Sequence, residues 1–332
     1  MREHHETVVI GGGQAGLAMS TVLQQHARDH VVLERRRLGE RWRTERWDSL
    51  RFQFPNWTLQ LPGFTYRGDD PDGFSHYREI VRVIEDYAAS TRAPVRENSE
   101  VVGLTEDADG KGFIVSLADG SLHAQHVVIA TGPFQRPQIP LLSRDVLPSV
   151  LQTDPTCYRS PGELPAGAVL VVGSGASGCQ IADELLHAGR KVYLSVSRHR
   201  RAPRRFRGKD LYWWLEKMGR FAQTIDSFPG RQWPPSVVIT GVNGGYDVDV
   251  RQLAADGVQV VGSVRRRIRQ HARDTSRRKP DPGPGGQGVR GLPVGGPGVC
   301  PRRSRRRARR GGASGAERAS HLRRRGRFTQ YR

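Results

Sequence analysis

Cysteine is scarce in this 332-residue chain: there are three, Cys157, Cys179 and Cys300. They form no C-x-x-C pair, so the sequence writes neither a dithiol redox centre nor a zinc ribbon, and no metal is expected. Long hydrophobic runs are missing as well. Nothing approaches the roughly 20 apolar residues of a membrane span, and Met1-Arg2-Glu3-His4-His5 opens without an apolar secretory stretch. The expectation is a soluble, cytoplasmic protein with no membrane partner. Acidic residues are nearly absent from one region only. Residues 265–332 hold 22 of the 53 Lys and Arg but 3 of the 33 Asp and Glu, so the formal net charge of +20 sits in that tail. Residues 1–264 are close to neutral, with 31 basic and 30 acidic side chains. Nucleic acid is therefore expected to bind only nonspecifically, through the tail.

What is present begins with glycine. Val8-Val9-Ile10 reads as a buried strand running into Gly11-Gly12-Gly13-Gln14-Ala15-Gly16, after which apolar residues follow helical spacing. This is the G-x-G-x-x-G turn of a dinucleotide-binding βαβ unit. Gly11 permits the tight turn, Gly13 lets a pyrophosphate approach bare backbone, and Gly16 lets the helix pack close on the strand. A second strand, Val31-Val32-Leu33, ends in Glu34, 23 residues after Gly11. A carboxylate there accepts hydrogen bonds from ribose hydroxyls. The arginine-rich stretch from Arg35 to Trp42 is either a solvated turn or a loop beside phosphates. Val127 to Ala130 reads as a buried strand, and Thr131-Gly132 then puts backbone at the carboxyl edge of the sheet, where ligands bind.

The pattern returns 162 residues later. Ala168 to Val172 reads as a strand, Gly173-Ser174-Gly175-Ala176-Ser177-Gly178 as the turn, and Cys179, Ile181, Ala182 and Leu185 as the inner face of a helix. The next strand, Lys191 to Val196, ends in Ser197-Arg198-His199-Arg200-Arg201 with no acid. Arginine in place of the carboxylate suits a 2′-phosphate, hence NADP. Between the two units a helix is expected over Ile80–Ala89 and strands over Val101–Leu104 and Phe113–Leu117. Later strands are expected over Ser236–Thr240 and Gly257–Gly262, with a short helix before the latter. The fold class is α/β: two Rossmann-like dinucleotide-binding domains, for FAD in residues 1–140 and for NADPH in residues 141–264. A disordered basic tail occupies residues 265–332.

These motifs resemble the two-dinucleotide flavoprotein monooxygenases, the flavin-containing and Baeyer–Villiger monooxygenases among them. The resemblance covers about residues 6–264. It rests on the first turn with Glu34, on Gly39-Glu40-Arg41-Trp42 (similar to a G-G-x-W element), on Ala130-Thr131-Gly132, and on Gly173 to Ala182. One position departs: Asp154 stands four residues before Tyr158, where the family carries a histidine. The resemblance implies that NADPH reduces FAD and that a C4a-(hydro)peroxyflavin transfers one oxygen from O2 to a small organic substrate. It implies FAD contacts at Gly11, Gly13, Gln14, Ala15, Gly16, Glu34, Arg35, Arg41, Trp42, Thr131 and Gly132. NADPH contacts follow at Gly173, Gly175, Ala176, Ser177, Gly178, Ser197, Arg198 and Arg200. By the same resemblance Asn56 matches an asparagine near the flavin's reactive carbon; from its own surroundings it is open equally to a structural role. A non-oxygenating flavin oxidoreductase is the alternative, and a nucleic-acid binder acting through the tail is a third.

From about Arg265 hydrophobic periodicity vanishes and Gly, Pro and Arg dominate. Read one base later, codons for Asp281 to Leu292 can encode Ile-Leu-Asp-Gln-Ala-Asp-Lys-Ala-Tyr-Glu-Gly, an amphipathic string. The tail therefore reads as a frameshift at about residue 264–266 that leaves the first domain incomplete and the chain poorly active. Resequencing that finds no base gained or lost relative to close relatives would refute this.

Overall fold

Val8 and Val9 are fully buried, and the strand that carries them organises the first sheet. The computed structural model describes residues 3–108, 110–197, 201–228, 230 and 237–264; Arg198, Arg200 and the expected frameshifted tail lie outside them. From the N-terminus, β1 (Glu3–Ile10) meets the glycine turn, α1 (Gln14–Gln25) follows, and β2 (His30–Leu33) returns beside β1. Next come α2 (Glu40–Thr44), a small hairpin of β3 (Gln60–Leu61) and β4 (Phe64–Thr65), and α3 (Tyr77–Ser90). Then β5 (Val95–Arg96), β6 (Val101–Glu106), β7 (Phe113–Leu117) and β8 (Ser121–Ile129) complete a six-stranded sheet of order β5-β2-β1-β8-β7-β6. Its β5-β2-β1-β8 half is parallel, with Val8 opposite both Val31 and Val127. The β7 and β6 half is antiparallel.

The long helix α3 forms for local reasons. His76 caps it: its ring accepts from the Arg78 N–H, and its own N–H donates to Glu79 Oε2 at 2.6 Å, a capping box. Tyr77, Ile80, Val81, Ile84, Tyr87 and Ala88 recur at three- and four-residue spacing and are all buried. Tyr87 carries its hydroxyl inward, where it meets Thr21 Oγ1 at 2.8 Å and donates to Pro62 O at 2.9 Å. The helix is thereby locked to α1.

The second half repeats the plan. β9 (Val169–Val172), α4 (Ala176–His187) and β10 (Val192–Ser195) form a βαβ unit. After the hairpin of β11 (Arg205–Phe206) and β12 (Lys209–Asp210), the chain passes α5 (Leu211–Lys217) and the hairpin of β13 (Ile239–Thr240) and β14 (Tyr246–Asp247). α6 (Val250–Ala255) and β15 (Gln259–Val261) finish a parallel sheet of order β15-β10-β9. Cys179, Ala182, Leu185 and Leu194 are fully buried at its centre. Burial pushes the Cys179 thiol up to about 11, with Asp183 adding to the effect, so this cysteine behaves as core.

Three elements differ from the sequence expectation. β1 starts at Glu3, because its polar end pairs with Leu122 to Ala124 of β8. β8 is not buried throughout: Leu122 and Ala124 are, but Ile129 is 69% exposed. The β7 pairing stops at Ala124, and among the described residues His126 to Ile129 pair with β1 alone. Of the strand expected over Ser236–Thr240, the described residues 237–240 form only the two-residue Ile239–Thr240, which pairs with Tyr246–Asp247 in the small hairpin. A Cβ on Gly241 would lie 2.4 Å from Phe52 O, so the chain there presses onto the first half.

Glu3 stitches the first sheet across β2. Its carboxylate pairs with Arg96 of β5 and with His5 Nε2 at 3.0 Å, and these hydrogen bonds hold it at about pKa 2. A carboxylate with a depressed pKa stabilises the fold above its unfolded value, and the contribution is lost as pH falls through the folded value. Because the pair is exposed, Glu3→Gln is expected to cost under about 1 kcal/mol near pH 7. The difference from wild type should shrink between pH 4.5 and about 2. Urea midpoints of the two chains across that window check it.

Candidate functional site

Two turns of the same construction stand at the carboxyl ends of β1 and β9. In the first, Gly11 has φ +112°, and a Cβ there would lie 2.5 Å from Ala130 O. Gly11 therefore abuts the Ala130-Thr131-Gly132 segment, and Ala130 N–H donates to Ile10 O at 2.8 Å. A Cβ on Gly16 would fall 1.9 Å from Gly11 O. Gly13 is different: no heavy atom lies within 4 Å of where its Cβ would be. The outer glycines are demanded by the protein's own packing, and the middle one keeps space open above bare backbone. α1 begins there with no side-chain cap and no acid in its first turn, Gln14 and Ala15 being exposed. Its first N–H groups are thus available to an anion.

The second turn repeats the backbone form and the close contact at its third glycine, but a Cβ on Gly173, unlike one on Gly11, would meet nothing within 4 Å. Gly173 has φ +108°, a Cβ on Gly178 would fall 2.0 Å from Gly173 O, and Gly175 faces open space. Gly173 N–H donates to Ser195 O at 3.1 Å, as Gly11 N–H does to Leu33 O at 2.8 Å. α4 likewise starts without a side-chain cap, at Ala176 and Ser177. The equivalence makes Val196 the counterpart of Glu34. Glu34 accepts from Gly12 N–H at 2.9 Å and Arg36 N–H at 3.2 Å, bracing its own turn. Val196 has no carboxylate to offer, and Ser197 after it is exposed.

Around the first turn the structure brings together most of the expected residues. Arg41 on α2 pairs with Glu45 and donates to Phe134 O, tying α2 to the segment after Thr131-Gly132. Trp42 carries the Arg46 guanidinium over its ring at 4.8 Å. Burial holds Arg46 below the usual arginine range, and repulsion from Arg41 and Arg159 adds to that against the pull of Glu45. Arg41 and Arg159 thus stand close enough to Arg46 to repel it at this corner. Arg35 is exposed on the rim.

Asn56 is buried, and its amide is used within the protein. Oδ1 accepts from Ser75 N–H at 2.8 Å and Nδ2 donates to Asp70 O at 2.9 Å, so the side chain braces the loop ahead of α3. Asp154, in the histidine position of the resemblance, closes a turn by accepting from Thr156 N–H at 2.8 Å. Tyr158 is buried and donates its hydroxyl to Glu184 of α4 at 2.8 Å. Burial, and then Glu184, push its pKa well above the tyrosine range, so Tyr158 acts as a neutral strut.

Sequence reasoning missed Arg204. It is 1% exposed. Its Nε pairs with Asp210 at 2.7 Å, Nη1 donates to Gln53 O at 2.7 Å, and the guanidinium lies 4.1 Å from the centre of the Phe74 ring. Nη2 finds no hydrogen-bond partner among the described residues. Leaving a buried donor unmet costs about 1–3 kcal/mol, more for a charged group. A cavity of about 190 Å³, lined by Trp47, Arg51, Gln180, Asp183, Thr240 and Tyr246, lies against the far half of α4. It is away from the helix N-terminus and holds no residue of either glycine turn.

Comparison with known proteins agrees with this construction. Residues 8–218 match the pyridine nucleotide-disulphide oxidoreductase family. The chain belongs to that family. It is 40% identical over 228 residues to a CzcO-like oxidoreductase of Geobacillus kaustophilus, a match covering 68% of this chain and 64% of the relative. It is 27% identical over 196 residues to the indole-3-pyruvate monooxygenase YUCCA6 of Arabidopsis thaliana, covering 57% and 47%. The chain thus spans just under two thirds of the first relative and about half of the second. Among solved structures, the flavin-containing monooxygenase from Stenotrophomonas maltophilia shares the fold at TM-score 0.57 and 21% identity, covering 78% of this chain and 70% of that one. Within the pyridine nucleotide-disulphide oxidoreductase family, this chain lacks any C-x-x-C pair for disulfide chemistry. No helix among the described residues is long and apolar enough to cross a membrane.

Proposed function

We propose that this chain is the dinucleotide-binding part of an FAD- and NADPH-dependent flavoprotein monooxygenase acting on a small organic substrate with O2. The observation that carries the reading is the pair of matched turns. Each has no room for a Cβ at its third glycine, open space at its middle glycine, and an uncapped helix N-terminus behind it. Glu34 ends the first unit and Val196 stands at the same place in the second, which fits two different dinucleotides. A plant relative named as a monooxygenase and a chain without a C-x-x-C favour oxygenation over disulfide reduction.

In this reading the α1 N–H groups and the Gly11–Gly16 turn hold the FAD pyrophosphate. Glu34 offers its remaining lone pairs to the ribose. Arg41, Trp42 and the Thr131-Gly132 backbone close over the same ligand. The Gly173–Gly178 turn and α4 hold the NADPH pyrophosphate, with Ser197, Arg198 and Arg200 at the 2′-phosphate end. Bound FAD would supply hydride acceptance and oxygen activation; the protein binds, orients and keeps water out. Asn56 stands in the loop it braces, beside the flavin as the resemblance implies. We read residues 265–332 as out of frame, so activity of this chain is expected to be low.

The experiment is an absorption spectrum of the purified full chain, identification of flavin released on heating, then NADPH oxidation under ¹⁸O2. FAD in the supernatant and label in the product are expected. FAD with unlabelled product and stoichiometric peroxide favours a non-oxygenating oxidoreductase. A folded, colourless chain that takes up no added FAD overturns the proposal.

A further inference from the structure

Arg204 is built in a way that stability alone does not explain. A buried ion pair replaced by apolar groups of similar volume is often neutral or stabilising. Here the Arg204–Asp210 pair is kept, 1% and 8% exposed, with the Nη2 amino group finding no hydrogen-bond partner among the described residues. The contacts of Arg204 fall on both sides of Asn56. Gln53, whose carbonyl it holds, lies three residues before Asn56. Phe74, against which it stacks, directly precedes Ser75, the residue hydrogen-bonded to Asn56. Phe74 cannot retreat: a Cβ on Gly245 would lie 2.5 Å from its ring and one on Gly241 2.8 Å from its Cβ. Phe74 O also accepts from Arg51 at 2.9 Å. Arg204 itself follows the arginine-rich end of the second unit, three residues after Arg201, which is anchored on Asp247 and Asp249 at 2.9 and 3.2 Å.

We propose that Arg204 is a positioning residue: it clamps residues 51–56 and the loop before α3 to the segment leaving the second glycine unit, and so sets where the Asn56 loop stands against the bound flavin. The flavin part of this rests on the function proposed above; the clamp itself does not. A planar guanidinium bridges a carboxylate, a carbonyl and a ring face at once, which a lysine ammonium does not reproduce. Asp210 serves twice, because it also caps α5 by accepting from Tyr212 N–H at 2.9 Å.

The test uses the full chain in three forms: wild type, Arg204→Lys, and the double variant Arg204→Met with Asp210→Asn. The double variant removes both charges and keeps a capping side chain. Hydrogen exchange over residues 51–75, which needs no cofactor, is expected to quicken by about tenfold or more in both variants while β1 and α1 keep wild-type protection. The visible circular dichroism of bound FAD should change in both. The kcat for NADPH oxidation should fall by about tenfold or more with KM for NADPH nearly unchanged. If the double variant fails to fold, Arg204→Lys carries the same three readouts. Wild-type exchange over 51–75 in a folded variant overturns the clamp. Quickened exchange with an unaltered flavin signal and kcat overturns its role at the flavin. A wild-type chain that binds no flavin fails the functional reading instead, and leaves the exchange result to decide the clamp.

Discussion

Gly13→Ala is expected to give a folded chain that no longer holds FAD, and Gly16→Ala a chain that no longer folds well. The two glycines are three residues apart in one turn, yet they answer to different demands. Gly13 has φ −86° and ψ −169°, a conformation open to any residue, and a methyl group there meets nothing within 4 Å. Loss of glycine at a helix cap and the gain from a stiffer unfolded chain are each under about 1 kcal/mol and oppose one another. The melting temperature should therefore stay close to wild type. The methyl group occupies the space through which a pyrophosphate would approach the backbone, so FAD affinity should fall by about 100-fold or more, equivalent to about 2.7 kcal/mol. At Gly16 the methyl group would sit 1.9 Å from Gly11 O, and α1 must move off the sheet to relieve it. Overpacking of this kind costs about 3 kcal/mol or more when backbone is the obstacle. Thermal melts and FAD titrations of the two variants separate the cases. Wild-type FAD affinity in a folded Gly13→Ala chain would mean that no phosphate passes over this turn.

Both glycine turns were legible because their signal is local. A turn that needs positive φ at its first glycine and backbone contact at its third admits no other residue, and the two turns keep the spacing of 162 at all three glycines. The amphipathic helix α3 was legible in the same way. Less was readable where pairing partners are distant. The polar start of β1, Glu3 to Glu6, carries no apolar alternation and becomes a strand only because β8 lies beside it. Val127 to Ile129 is apolar enough to suggest burial, but burial depends on a neighbour, and β7 turns away at Ala124.

The site divides similarly. Glu34 and Thr131 lie against the first turn, Glu34 through Gly12 N–H and Thr131 beside Gly11, whereas Arg41 reaches only the segment after Gly132 and Trp42 meets Arg46. Asn56 came into the structure with two open roles, and its hydrogen bonds account for the bracing one directly. Arg204 was hidden by composition: it is one of several arginines between Arg198 and Arg207, and no periodicity distinguishes it. What sets it apart is the hairpin at Arg207-Gly208, both at positive φ, which folds Asp210 back onto it. An aspartate just before an apolar run was the available signal, a helix cap whose second oxygen could be expected to hold a cation.

Gly175→Ala is expected to yield a yellow protein that NADPH cannot bleach. Its geometry copies that of Gly13: φ −76°, ψ 180°, and no heavy atom within 4 Å of an added Cβ. The fold and the FAD should therefore be retained, while reduction by NADPH slows by about 100-fold or more and reduction by dithionite proceeds unchanged. Loss of FAD from this variant would mean that the two turns serve one ligand. The residue that then distinguishes the sites is the one after each second strand. A carboxylate at the Glu34 position accepts from ribose hydroxyls and repels a 2′-phosphate, and Val196 offers neither interaction. Val196→Glu is accordingly expected to lower the preference for NADPH over NADH by about tenfold or more, read as the ratio of kcat/KM values. Val196 N–H donates to Val261 O at 2.9 Å, a backbone bond that the substitution leaves in place. A change in the ratio would thus report on the cofactor, and an unchanged ratio would assign the 2′-phosphate end to another segment of the chain.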